Sequence, residues 1–370
     1  MQTPAFFPAR ITAAPVAIAA VLATAGLGAQ SVVSPAARAQ FEGDSSSSYP
    51  LGRADGRFQQ IHADLGASPR TISQHAYRRD AINQRGDVLA FSTELEVTMS
   101  VAAVAPDSAA RDFASNHGAG AVTVLPRARV NFPTTSRPAQ DPAPGFEHAI
   151  PFTTPFNFPG GAPICIDVVI YGNTTSRGND VNFSAELDAQ SFAANGSMSQ
   201  PGYAYGSGCA APGSSRPHDA SFEFLRAADA SLSLDIDSQD GMPTTSSASA
   251  FSALVVSSRE QPWVWPWNQA CTLVPAIDAS VTLSGPNDAA GDWSGSINLP
   301  QLPVGQRFVV QIASSVPAAG NAELTFSNPS IITVSAMAPP SLPAVRIAHG
   351  SDHAATQGTV SPTVTVTEFR

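Results

Sequence analysis

The chain has 370 residues, with 19 Lys plus Arg against 29 Asp plus Glu and a formal net charge of −10. That balance argues against nucleic acid as a partner, because such binding rests on cationic side chains neutralising phosphates, and it offers no basic patch to an anionic membrane surface. Only 13% of the residues are charged while 27 are Gly and 32 are Pro, so few segments can sustain the charged face of a surface helix.

In chain order the first signal is residues 11–29, ITAAPVAIAAVLATAGLGA, an apolar run preceded by Arg10 and followed by Ala37-Arg38-Ala39, a small-x-small pattern ahead of Gln40. This predicts an export signal over 1–39 that is cleaved before Gln40. A retained anchor is the competing reading, since the run approaches the roughly 20 residues a bilayer needs. Ala and Gly are only weakly apolar, however, and no later stretch is apolar enough to span. The expectation is a secreted or cell-surface protein. Residues 40–55, including FEGDSSSSY at 41–49, read as a flexible leader.

A mature chain of about 330 residues implies two domains of roughly 100–200 residues each. The Gly-, Ser- and Pro-dense stretch 202–217, GYAYGSGCAAPGSSRP, predicts the boundary, with domains over 56–205 and 206–370. Period-two alternation, the mark of a half-buried strand, runs through 94–104 (ELEVTMSVAAV), 121–132, 163–171 (PICIDVVIY), 181–187, 221–225, 231–236, 250–257, 279–283, 307–316 and 322–336. Turn residues separate these runs, as at Gly285-Pro286-Asn287-Asp288. Only 107–116, DSAARDFASN, could hold a helical turn or two. Many short strands at this spacing predict an all-β fold of two antiparallel β-sandwich domains in tandem, jelly-roll or Ig-like. A Pro-rich stretch at 338–343 precedes a tail whose TVTVTEF, 363–369, alternates again and could return as a last strand.

A set of short motifs carries a resemblance: RFQQI at 57–61, ISQHAYRRD at 72–80, FASNHGA at 113–119, PFTTPFNFPGGAPICIDVVIYGN at 151–173 and GSGC at 206–209. It continues through ACTL at 270–273, NLP at 298–300, RFVVQ at 307–311, LTFSNPSIITV at 324–334 and the ending 350–369. In pieces and order the chain resembles a family of uncharacterised secreted β-sandwich proteins of planctomycete-type bacteria, departing from it at Ala270, where a Gly is usual. The resemblance implies fold and export and carries no activity.

Three cysteines in an exported chain permit one disulfide and one free thiol. Cys209 and Cys271 each sit beside turn chemistry, whereas Cys165 lies inside Ile164-Cys165-Ile166 as a small buried hydrophobe. A Cys209–Cys271 bridge is therefore expected. A nucleophilic Cys165 would need a neighbouring His that sequence does not place.

Motifs for chemistry are sparse: the sequence has no G-x-S-x-G, H-E-x-x-H, C-x-x-C, G-x-G-x-x-G or P-loop. Trp263, Trp265 and Trp267 alternate, so an extended backbone would place three indoles on one face as a ligand platform; the competing reading has them capping the core, with Pro266 marking an edge strand. Asp235, Asp237 and Asp240 offer hard oxygens suited to Ca²⁺, and His349, Asp352 and His353 offer zinc-type ligands in a loop that does not fix their geometry. Glu147 stands outside the alternating strands and is a weak candidate for a carboxylate pair. The expected function is a non-enzymatic structural, adhesion or glycan-contact role, with glycans or other surface proteins as partners. The alternative is a secreted polysaccharide hydrolase using paired carboxylates.

Overall fold

Alternation along the strands decides which side chains are buried. In Asp219–Arg226, Ala220, Phe222 and Phe224 are buried while Asp219, Ser221 and Glu223 are exposed. In the adjacent Leu232–Gln239 the buried set is Leu232, Leu234, Ile236 and Ser238, because successive side chains of a strand point to opposite faces. The computed structural model describes residues 31–80, 87–135, 145–192, 198–227, 229, 231–245, 247–266, 270–276, 280–316, 323–334 and 342–370. Within them the protein is all-β and built of antiparallel sheets, as expected.

The larger sandwich pairs two sheets. One runs in the order Thr359–Ser361, Ala344–His349, Gly56–His62, Ile164–Thr175, Phe91–Val101, Val122–Phe132, with Gly178–Asn179 added on Ile164–Thr175. The other runs Val32–Ser34, Thr367–Phe369, Arg70–Tyr77, His148–Phe158. Phe58, Leu95, Ile166 and Val168 from the first meet Ile72, Tyr77, Ile150 and Phe158 from the second in one core. Each large apolar side chain buried this way contributes about 1.5–3 kcal/mol.

The second sandwich faces Met198–Pro201, Asp219–Arg226, Leu232–Gln239 and Trp293–Leu299 against a sheet of Tyr203–Ala204, Ser330–Thr333, Arg307–Val316, Phe251–Ser257 and Ser280–Pro286. Phe222, Phe224, Leu234 and Ile236 pack there on Leu254, Val310, Ile312 and Ile332.

The sheets do not follow a division of the chain at 205/206. After Leu187–Ser191 the chain builds the second sandwich, then comes back: Ala344–His349 pairs with Gly56–His62, and Thr367–Phe369 with Arg70–Tyr77. Residues 344–369 thus complete the first sandwich rather than the second. A strand edge presents unpaired N–H and C=O groups that any strand can satisfy, however distant in sequence.

Two local expectations also change. Residues 181–186 form no ladder, because the Asn173 side chain takes both backbone groups of Val181, accepting at 3.1 Å and donating at 2.7 Å. The run expected over 322–336 appears as two strands, Glu323–Phe326 and Ser330–Thr333, parted at Pro329, which has no N–H to give a ladder. The helical signal at 107–116 appears as two single turns, the 3-10 turn Pro106–Ser108 and the α turn Phe113–Asn116, the second capped by Asp112, which accepts from the Ser115 N–H at 2.9 Å.

Candidate functional site

The Cys209–Cys271 disulfide is present, and Cys165 is free and buried. The bridge fastens the loop end of a hairpin in which Glu260–Val264 pairs with Thr272–Pro275, the register slipping between Glu260 and Trp263. Pro262 lies at the slip, where it has no N–H to donate. Buried Gln311 seats the hairpin on the sheet beneath: its Oε1 accepts from the Val274 N–H at 2.8 Å, and its Nε2 donates to Thr272 O at 3.0 Å and Ser327 O at 2.6 Å. The arm is therefore tied by one covalent link and a saturated side-chain amide.

On this arm Trp263 and Trp265 are neighbours, with ring centroids 5.1 Å apart and planes at 80°. Period two does bring them to one region, but edge to face rather than as a flat shelf. Trp265 turns inward onto Phe326, Leu273 and the disulfide, while Trp263 is half-buried and Val264 beside it is 50% exposed. Trp267 lies outside the described residues. The fourth indole, Trp293, belongs to the core of the second sandwich.

A second aromatic pair joins the arm. Tyr203 and Tyr205 stack with planes at 11° and centroids 6.1 Å apart, and the Tyr205 hydroxyl donates to Glu260 Oε1 at 3.1 Å. Burial and the facing Glu260 carboxylate push the Tyr205 hydroxyl pKa up, so it stays a donor. Both tyrosines are half-buried, each with an apolar ring and a polar tip. They sit in the Gly-, Ser- and Pro-dense stretch 202–217, whose composition predicts a domain boundary and hides a strand. The signal was Tyr-x-Tyr at strand spacing, since Tyr203–Ala204 pairs with Ser330–Thr333.

The other concentration of chemistry-bearing groups lies on the outer side of the seven-stranded sheet. Asp167 Oδ2 accepts from Arg57 Nη2 at 2.7 Å, Gln59 Nε2 at 3.1 Å and His117 Nε2 at 3.2 Å. His117 Nδ1 is 2.8 Å from Ser100 Oγ, and Cys165 Sγ is 4.0 Å from His117 Nε2. The residue types are those of a nucleophile, a base and an orienting acid, yet Ser100 and Cys165 are fully buried, and Cys165 packs with Phe113, whose ring Arg57 overlies at 4.6 Å. Burial alone would raise the Asp167 carboxyl, but hydrogen bonds from His117 and Arg57 hold it below the ordinary value. Burial and the Asp167 charge push the Cys165 thiol well up. This is an ion network that clasps the Phe113–His117 turn to the sheet, not an open site. A thiol reagent is accordingly expected to label no cysteine in the native protein and one, Cys165, in denaturant; fast native labelling would show that the clasp opens.

The remaining candidates are dispersed. Asp235 and Asp237 lie on the outward face of Leu232–Gln239, and Asp240 follows with φ 56°. Asp235 accepts from Ser296 Oγ at 2.6 Å. His353 Nδ1 turns to Asp55 at 3.0 Å, and its ring lies 4.9 Å from that of Tyr171 at a tilt of 54°. Glu147 accepts from the Arg79 N–H at 3.3 Å. Among the described residues no group of three or more His, Cys, Asp or Glu is arranged to hold a metal ion, and no helix is long and apolar enough to cross a membrane.

The fold and site together define an all-β, disulfide-bonded protein of antiparallel sandwiches carrying an aromatic arm. A comparison with protein-family models finds no match for the chain, and a comparison with curated proteins finds none either.

Proposed function

We propose that this is an exported, non-enzymatic β-protein of the cell surface or extracellular space that contacts glycans through the face formed by Trp263, Tyr203, Tyr205 and Glu260. The observation that carries the reading is a half-exposed indole on an arm held by a disulfide, beside a stacked tyrosine pair with a hydrogen-bonded carboxylate. Sugars present C–H faces that pack on aromatic rings and hydroxyls that need carboxylate and phenol partners, and a pre-organised arm loses little entropy on binding. Export is supported by the apolar segment 11–29 and by the disulfide, which persists in oxidising compartments.

The hydrolase reading would need two carboxylates in a water-excluding cleft. Glu223 and Asp235 do sit opposite each other on neighbouring strands, but on the exposed face of a sheet, where Ser199 and Ser296 already donate to them. Glycan-array binding of the purified protein beside Trp263→Ala and Tyr205→Ala is the test. Each substitution is expected to weaken binding about tenfold, the equivalent of about 1.4 kcal/mol, with the thermal midpoint nearly unchanged. Undiminished binding by both variants, or release of reducing ends from a polysaccharide, would overturn the proposal.

A further inference from the structure

The small-x-small motif Ala37-Arg38-Ala39 is built into the fold. Val32–Ser34 pairs with the last strand, Thr367–Phe369, in the register Val32↔Phe369, Val33↔Glu368, Ser34↔Thr367. The final strand therefore lies between this segment and Arg70–Tyr77. Val32 packs on the main core, Val33 on Ala76, Phe146 and Val366, and Ala37 on Phe192 and Met198. A segment destined for removal has no physical reason to pack three half-buried apolar side chains against three core clusters.

Its polar groups complete buried networks that are otherwise unsatisfied. Ser34 Oγ lies 2.7 Å from His62 Nδ1 and donates to Asp64, whose other oxygen accepts from the Ala36 N–H at 2.7 Å. Arg38 is fully buried and donates to Ser199 O at 2.9 Å and Glu42 O at 3.3 Å. The Arg78 guanidinium, paired with Asp188 at 2.6 Å, donates to Arg38 O at 2.8 Å, to Ala39 O at 3.4 Å and to Phe41 O. A cut after Ala39 would take away two of those three carbonyls, the strand partner of residues 367–369, and the hydroxyl between His62 and Asp64. Buried groups stripped of partners cost far more than the bonds gained by making them.

We infer that residues 31–39 are a structural strap of the mature protein, and that any proteolytic processing of the amino terminus falls on the N-terminal side of Ser31 rather than between Ala39 and Gln40. This stands apart from the export proposal, because a chain that is never cleaved keeps the strap as well. The full-length chain is expressed with export intact, and the first residue of the isolated protein is read by intact mass and terminal sequencing. A first residue at or before Ser31 is expected, and Gln40 as first residue would overturn the inference. Met1 as first residue would uphold the strap while sinking the cleavage part of the export reading.

Two recombinant chains beginning at Ser31 and at Gln40 give an independent measurement. The shorter is expected to melt lower by about 10 °C or more, or to stay unfolded until a peptide of residues 31–39 is added. Equal melting temperatures for the two chains would overturn the inference.

Discussion

Lowering the pH from 7.5 to 5 is expected to destabilise the protein by about 6 kcal/mol, roughly 2 kcal/mol from each of three buried histidines. Burial pushes His62 and His75 down to about 3 and His218 to about 4. His62 lies between Ser34 and Gln60, and His218 between Ser238 and Thr325. Among the described residues neither ring nitrogen of His75 has a hydrogen-bond partner, its ring packing on Tyr77 and Phe152. A histidine whose folded pKa lies below its unfolded value takes up its proton on unfolding. Its stabilising contribution is complete above pH 6.5 and is lost as the pH falls toward the folded value.

The window from 6.5 to 5 lies above the ordinary carboxylate range, so the acids of the unfolded chain stay ionised throughout it. Asp44 and Asp64, raised by burial, act in the opposite sense and trim the loss. Since domains are stable by about 5–15 kcal/mol in all, the effect approaches the whole stability. Urea midpoints at pH 7.5, 6 and 5 measure it, and His75→Phe should remove about a third of the slope. A profile flat down to pH 5 would show that the three rings are solvated.

Replacing Cys209 and Cys271 with serine is expected to cost about 4 kcal/mol, because the bridge spans 62 residues and its loss returns the corresponding loop entropy to the unfolded chain. In a protein of this size that is a fall of about 6 °C in the thermal midpoint. Glycan binding should fall with it, since the bridge anchors the arm that presents Trp263. Cys271 is fully buried and Cys209 nearly so, so reductant should open the bridge only slowly under native conditions. A midpoint lowered by less than about 3 °C would mean that Gln311 and the hairpin ladder suffice to hold the arm.

By itself the sequence determined that the protein is all-β, the alternating faces of strands such as Asp219–Arg226 and Leu232–Gln239, the burial of Cys165 and the pairing of Cys209 with Cys271. These follow from local rules: side chains alternate along a strand, an apolar strand buries a cysteine, and the two cysteines left beside turns are free to meet and pair. Only the tertiary structure decided that Thr367–Phe369 lies between Val32–Ser34 and Arg70–Tyr77, that Asp167 gathers Arg57, Gln59 and His117, and that Glu260 meets Tyr205. Each of these joins residues tens to hundreds of positions apart, and a period of two says which face a residue occupies but not which strand will lie beside it. Trp263 and Trp265 show the same limit at short range: alternation brought them together, and only the packing set them edge to face, with Trp265 seated on Phe326 beside the disulfide and both indoles half-buried.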